Sequence, residues 1–207
     1  QWDGGSWTVE TGGGPLTARV LVNAAGAWGD DVARAAGVAP LGLVPKRRTV
    51  VQLRVGRGGL KDLPFVTDLH ESFYFKGEAD NSVWVCPLDE TPSAPCDAQP
   101  EEIDVAIAID RFQQVTDWRI AAVERRWAGL RSFAPDRLPV YGFDPLVKGL
   151  FWFAGQGGFG IQTAPAAARL AAQLLLGREP DAMTERLDPA LYAPSRFNPA
   201  GLGTDKS

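Results

Sequence analysis

Apolar and polar positions alternate from Trp7 to Thr11, break at Gly12-Gly13-Gly14-Pro15, and resume as the nearly continuous apolar stretch Leu16 to Asn23. This pattern predicts a hairpin whose glycines supply positive φ and whose second strand is buried on both faces. The small residues Ala24 to Ala27 follow. Asp30 to Gly37 then predicts a short helix, with acids in its first turn, toward the positive end of the helix, and a glycine stop. Pro40 to Pro45 is a connector and Thr49 to Val55 a strand. Phe73-Tyr74-Phe75 and Val83-Trp84-Val85 are further apolar runs, separated by Gly77, Asp80 and Asn81.

The segment from Cys86 to Asp110 holds seven acids and four prolines but no Lys or Arg, the composition of a solvated surface loop. Within it, Asp97 to Glu102 opens a helix with Pro100 inside its first turn. Ile103, Val105, Ala106, Ile107, Ile109 and Phe112 give that helix a broad apolar face as far as about Asp117. Ala122 to Leu130, Leu138 to Gly142 and Leu150 to Ala154 read as strands, the last fully buried. Thr163 to Leu176 carries the strongest helical pattern. Thr163 is placed to cap it, Pro165 lies near its first position, and Ala167, Leu170, Ala171 and Leu174 share a face. Gly177 ends it. The tail from Asn198 is expected to fray.

Composition narrows the class. The chain has 207 residues, 45% hydrophobic and 22% charged, which is ordinary for a globular protein of more than one average domain and excludes collagen, coiled coil and disorder. A net charge of −4 weighs against a nucleic-acid partner. No apolar run approaches the ~18 residues of a membrane span, and Cys86 and Cys96 are too few for a disulfide framework, so a soluble protein of the cytoplasm is expected. The single methionine is Met183 and the chain opens on Gln1-Trp2-Asp3, which reads as part of a longer protein.

Gly155-Gln156-Gly157-Gly158-Phe159-Gly160 has the G-x-G-x-x-G spacing between a strand and a helix. A dinucleotide-phosphate loop should be followed about 20 residues later by an acid on a second strand, yet Arg178 to Pro189 cannot be a strand. Two readings remain: a helix start whose free amides face an electron-rich group, or a tight turn that packs helix on strand. His70, between Asp68 and Glu71, reads as solvated. One histidine and two separated cysteines make neither a zinc site nor a Ser-His-Asp triad.

Three segments carry a resemblance. Leu21 to Trp28 (LVNAAGAW), Trp127 to Gly142 (WAGLR, then APD and LPVYG) and Phe153 to Pro165 (FAGQGGFGIQTAP) resemble, in order, motifs of the FAD-dependent D-amino-acid oxidase superfamily. The similarity is to its glycine oxidase, sarcosine oxidase and D-amino-acid dehydrogenase branch. It implies an α+β fold in two parts: the remnant of a Rossmann-like FAD-binding domain over 1–45 and 128–190, and an antiparallel substrate-binding sheet over 46–127, with a tail over 191–207. The family's N-terminal βαβ unit is missing, so the FAD site is expected to be incomplete in this chain.

The implied chemistry is oxidation of the CH–NH bond of a small amino acid or secondary amine, with FAD as cofactor. Ala25, Gly26 and Trp28 would face FAD from the first motif, although Trp28 reads equally as a packed aromatic at a strand end. Gly155, Gln156, Gly157, Gly158, Phe159, Gly160, Ile161, Gln162 and Thr163 would face it from the last. Arg131 corresponds to the carboxylate-binding arginine, the alternative being a surface arginine near Asp136. Tyr74 corresponds to a tyrosine that assists it. Gly158 stands where some relatives carry an arginine, Arg48 stands where glycine is usual, and no cysteine is placed to attach flavin covalently. Two other readings stay open: a flavin dehydrogenase of a hydroxyl substrate, whose phosphate would need the Lys46-Arg47-Arg48 cluster, and a non-catalytic fragment. The electron acceptor and the oligomeric state are open.

Overall fold

The computed structural model describes residues 1–197. In chain order the elements are β1 (Trp7–Val9), β2 (Leu16–Ala18), β3 (Leu21–Asn23), α1 (Gly29–Ala35), β4 (Val44–Val55), β5 (Val66–Thr67), β6 (Tyr74–Ala79) and β7 (Ser82–Cys86). There follow β8 (Thr91–Pro92), α2 (Glu102–Val115), β9 (Ile120–Phe133), β10 (Val140–Phe143), β11 (Leu150–Ala154) and α3 (Gly160–Leu176). Short 3-10 turns lie at Gly26–Trp28, Pro189–Leu191 and Pro194–Phe197. This is the expected α+β class. The chain divides into two compact units, one formed by Gln1–Val44 with the chain from Arg131 onward, the other by Pro45–Leu130.

The first unit is built on a three-stranded sheet in the order β10-β11-β3. β11 runs antiparallel to β10 and parallel to β3, with Leu150 opposite Leu21 and Trp152 opposite Asn23. Alternate β11 side chains go to opposite faces, as the period of a strand requires. Leu150, Trp152 and Ala154 enter a core with Trp7, Leu41 and Leu43, while Phe153 packs with Tyr141, Ala167 and Leu170. Two buried faces explain why this strand reads as an unbroken apolar run.

The hairpin differs from expectation. β1 and β2 pair as a separate two-stranded ribbon, Trp7 opposite Ala18, and β2 is exposed on both faces, with Leu16 63% accessible. The apolar stretch is broken at Arg19-Val20, and only β3 joins the main sheet. Trp7 anchors the ribbon, burying its ring and donating from Nε1 to the Gly149 carbonyl at 2.9 Å.

α3 starts three residues earlier than Thr163, so Thr163 is not its cap. Its hydroxyl donates back to the Phe159 carbonyl at 2.8 Å, and Pro165 lies inside the helix. The predicted end holds: Gly177 is left-handed at φ +59°, and the Arg178 amide donates to the Gln173 carbonyl at 2.9 Å. The tail from Asn198 lies outside the described residues.

The second unit is an antiparallel sheet in the order β5-β6-β7-β4-β8, with β9 also paired to β4. α2 covers one face, setting Val105, Ala108 and Phe112 against Val51, Leu53, Phe75, Val83 and Val85. Pro100 precedes the Glu101 cap rather than sitting in the first turn. The acid-rich segment is not simply a solvated loop. Asp89 accepts from the Thr49 amide and hydroxyl at 2.7 and 2.9 Å, and Asp104 is buried against Arg47 at 2.9 Å. Arg47 also pairs with Glu101. A buried guanidinium on β4 demands such partners, because an uncompensated buried charge is far costlier than a paired one.

Candidate functional site

Because β3 and β11 are parallel neighbours, their C-terminal ends leave the sheet on the same side. In open sheets that edge is where ligands are received. The segment after β3 is held from beneath. Asn23, buried, donates from Nδ2 to the Gly29 carbonyl at 2.8 Å. Gly29 packs so closely that a Cβ there would lie 2.6 Å from Leu43 Cδ1. Asp30 turns inward and accepts the amides of Leu41, Gly42 and Leu43 at 3.0, 3.0 and 2.9 Å. Above these anchors Gly26 takes φ +57° with open space around it. Trp28 is 47% exposed, which is not the burial of a packed strand-end aromatic.

The segment after β11 is bound to the end of β9. Phe133 and Gln156 form an antiparallel bridge, and the Gly157 amide donates to the Ser132 carbonyl at 2.9 Å. Gly155 and Gly157 have φ of +73° and +53°. At Gly157 a side chain would meet the Phe133 ring at 2.7 Å. Gly158, whose φ is not left-handed, lies under the tip of Arg131: a Cβ there would be 2.8 Å from Arg131 Nη1. Arg131 is half-buried, and its side chain forms no hydrogen bond or ion pair among the described residues. Asp136, its alternative partner on sequence grounds, is held by Arg196 at 2.7 Å, and that bond keeps its carboxyl below the usual carboxylate range.

Phe159 precedes α3 without any side-chain cap. The amides of Phe159 and Thr163 are satisfied by the Gln156 and Phe159 carbonyls, at 3.1 and 3.0 Å. Those of Gly158, Gly160, Ile161 and Gln162 find no acceptor among the described residues. Phe159 and Ile161 are exposed at this end, Gln156 and Thr163 half-buried. The sheet edge therefore presents four uncommitted amides at the positive end of a 17-residue helix, with an uncommitted guanidinium beside them. Such an arrangement receives negative charge.

The loop residues from Gly155 to Thr163, Ala25 to Trp28 and Arg131 thus all belong to the first unit. Tyr74 belongs to the second, at the start of β6 and opposite Cys86. The Cys86 thiol accepts the Leu88 amide at 3.4 Å, and the Tyr74 ring lies 4.6 Å from that of Phe65. Burial pushes the Cys86 thiol up. The basic cluster is internally matched: Lys46 to Glu90 at 2.9 Å, Arg47 to Glu101 and Asp104, Arg48 to the Asp89 carbonyl at 2.8 Å. His70 is exposed. Asn23 and Asp30 escape sequence reasoning. The Asp30-Asp31 doublet looks like a pair of first-turn acids, and nothing local distinguishes the one that folds inward.

A family model described as FAD dependent oxidoreductase (DAO) matches residues 1–174. Glycine oxidase of Pseudomonas putida is 31% identical over 192 residues, which cover 90% of this chain and 48% of that protein. FAD-dependent oxidoreductase domain-containing protein 1 of Bos taurus is 29% identical over 204 residues, 88% of this chain and 40% of the relative. Among solved structures, glycine oxidase from Geobacillus kaustophilus superposes with a TM-score of 0.76 at 24% identity, covering 94% of this chain and 50% of its own. The chain spans less than half the length of these two curated relatives. Among the described residues no helix is long and apolar enough to cross a membrane.

Proposed function

Since the chain belongs to the DAO family of FAD dependent oxidoreductases, we propose that it forms the flavin-facing and substrate-binding part of an enzyme that oxidises the CH–NH bond of a small amino acid or secondary amine. One observation carries this reading: the uncommitted Arg131 guanidinium beside the uncommitted amides of Gly158, Gly160, Ile161 and Gln162. The glycine oxidases among its relatives favour an amine over an alcohol as substrate.

The residues present fit FAD. The unobstructed Gly26 and the half-exposed Trp28 leave main chain open to a flat ring, and the loop after β11 offers the uncommitted amides of Gly158, Gly160, Ile161 and Gln162. Ala25, Gly26 and Trp28 would hold it from one segment and Gly155 to Thr163 from the other. When bound, FAD supplies the acceptor for the two electrons and the hydrogen that leave the substrate Cα. The four amides stabilise negative charge where it develops, and removing one such preorganised donor typically costs ~3 kcal/mol.

Arg131 holds the substrate carboxylate through two parallel N–H···O bonds, which fix the direction of the Cα–H bond. The amine reacts neutral. Its lone pair forms the C=N bond as the Cα–H electron pair departs, and the nitrogen proton passes to water. Water then adds to the imine, releasing the oxo acid and the amine. No side chain is needed as base. We assign the flavin-binding part to residues 1–45 and 128–190 and the substrate-binding sheet, to which Tyr74 belongs, to 46–127. A phosphorylated hydroxyl substrate is disfavoured, because Lys46, Arg47 and Arg48 are already matched by acids and a carbonyl.

Arg131→Leu in the flavin-loaded enzyme tests this. Loss of a charged hydrogen-bonded pair should raise KM for carboxylate substrates by about ten- to a hundredfold, with flavin absorbance retained. Unchanged kinetics would remove Arg131 from the site.

A further inference from the structure

We propose that Gly158 is a positioning residue for Arg131: the bare Cα at 158 is the seat on which the guanidinium rests. The inference deepens the proposed function and rests on its assignment of Arg131 as the carboxylate anchor. Three loop glycines have different reasons to be glycine. Gly155 and Gly157 need it for their left-handed backbone, and Gly157 also for the ring above it. Gly158 has neither reason, since its φ suits any residue and its surroundings are exposed. Among the described residues other than its chain neighbours, the only atoms within 4 Å of an added Cβ there are Arg131 Nη1 at 2.8 Å and Cζ at 3.6 Å.

The long side chain of Arg131, for its part, has no hydrogen bond or ion pair among the described residues to fix it. Its guanidinium does meet the loop at Gly158. With glycine at 158 it lies down beside the free amides, where planar two-point contact with a carboxylate is preorganised. A methyl at 158 leaves the backbone undisturbed and lifts the guanidinium, because the far end of a flexible side chain is what must yield.

The experiment compares Gly158→Ala, Arg131→Leu and the double variant in the flavin-loaded enzyme, with KM and kcat for an amino-acid substrate. The Arg131 Nε–H resonance is recorded separately, without substrate. The expected result is a rise in KM on the order of tenfold for Gly158→Ala with kcat little changed, a shifted Arg131 resonance, and a double variant no worse than Arg131→Leu. A wild-type KM and an unshifted resonance in Gly158→Ala, while Arg131→Leu raises KM, overturn the seat and leave the anchor standing. If Arg131→Leu itself leaves KM unchanged, the anchor fails, and the resonance alone decides the seat: a shift supports it, no shift overturns it.

Discussion

Gly157→Ala probes the geometry that holds the loop to the end of β9. Two costs can be worked out. At φ +53° an L residue is strained by about 1–2 kcal/mol. The new methyl would also lie 2.7 Å from Cε1 and 3.0 Å from Cδ1 of Phe133. That ring is 5% exposed and carries the Arg137 guanidinium 4.3 Å from its centroid, so it cannot simply swing aside. Overpacking of this kind adds about 1–3 kcal/mol. The total, roughly 2–5 kcal/mol, is a large share of the ~5–15 kcal/mol that stabilises a typical domain. Urea unfolding followed by circular dichroism measures it, with Gly158→Ala alongside. The same methyl one residue later meets only a movable side-chain tip and should stay within about 0.5 kcal/mol of the parent. Equal midpoints for the two variants would refute the reasoning, because neither backbone strain nor the ring would then be acting.

Other substitutions test the supports. Asp30→Ala strips three amides of their acceptor and should cost about 3 kcal/mol in urea unfolding, whereas Asp30→Asn keeps one acceptor oxygen and should lose less. Tyr141→Phe removes a buried hydroxyl that has no partner among the described residues and should raise stability by up to about 1 kcal/mol. Burial pushes the Tyr141 phenol from 10.0 up to about 12. The folded state therefore keeps its proton after the unfolded chain has lost it, and stability falls as pH rises through that window. Denaturation midpoints across the alkaline range should show this slope in the parent and lack it in Tyr141→Phe.

Local pattern determined a good deal of this protein. The run Leu150 to Ala154 announces a strand buried on both faces, Gly177 the end of α3, and three short segments the family. Each is a property of neighbouring residues, carried by periodicity, by the left-handed freedom of glycine, or by a motif. Where pairing over long separations intervenes, the sequence is silent. Nothing in Leu16 to Asn23 says that its first half will form an exposed ribbon and its second half lie beside β11, because the partner of Leu21 is Leu150. The same pairing sets Ala25 to Trp28 and Gly155 to Thr163 on one edge. The acids after Cys86 look solvated until Arg47 arrives from β4 to be neutralised. The meeting of Arg131 with Gly158 was equally out of reach, since it depends on how the end of β9 bridges the turn after β11. Periodicity fixes which face of an element is buried; only the packed chain decides what that face is buried against.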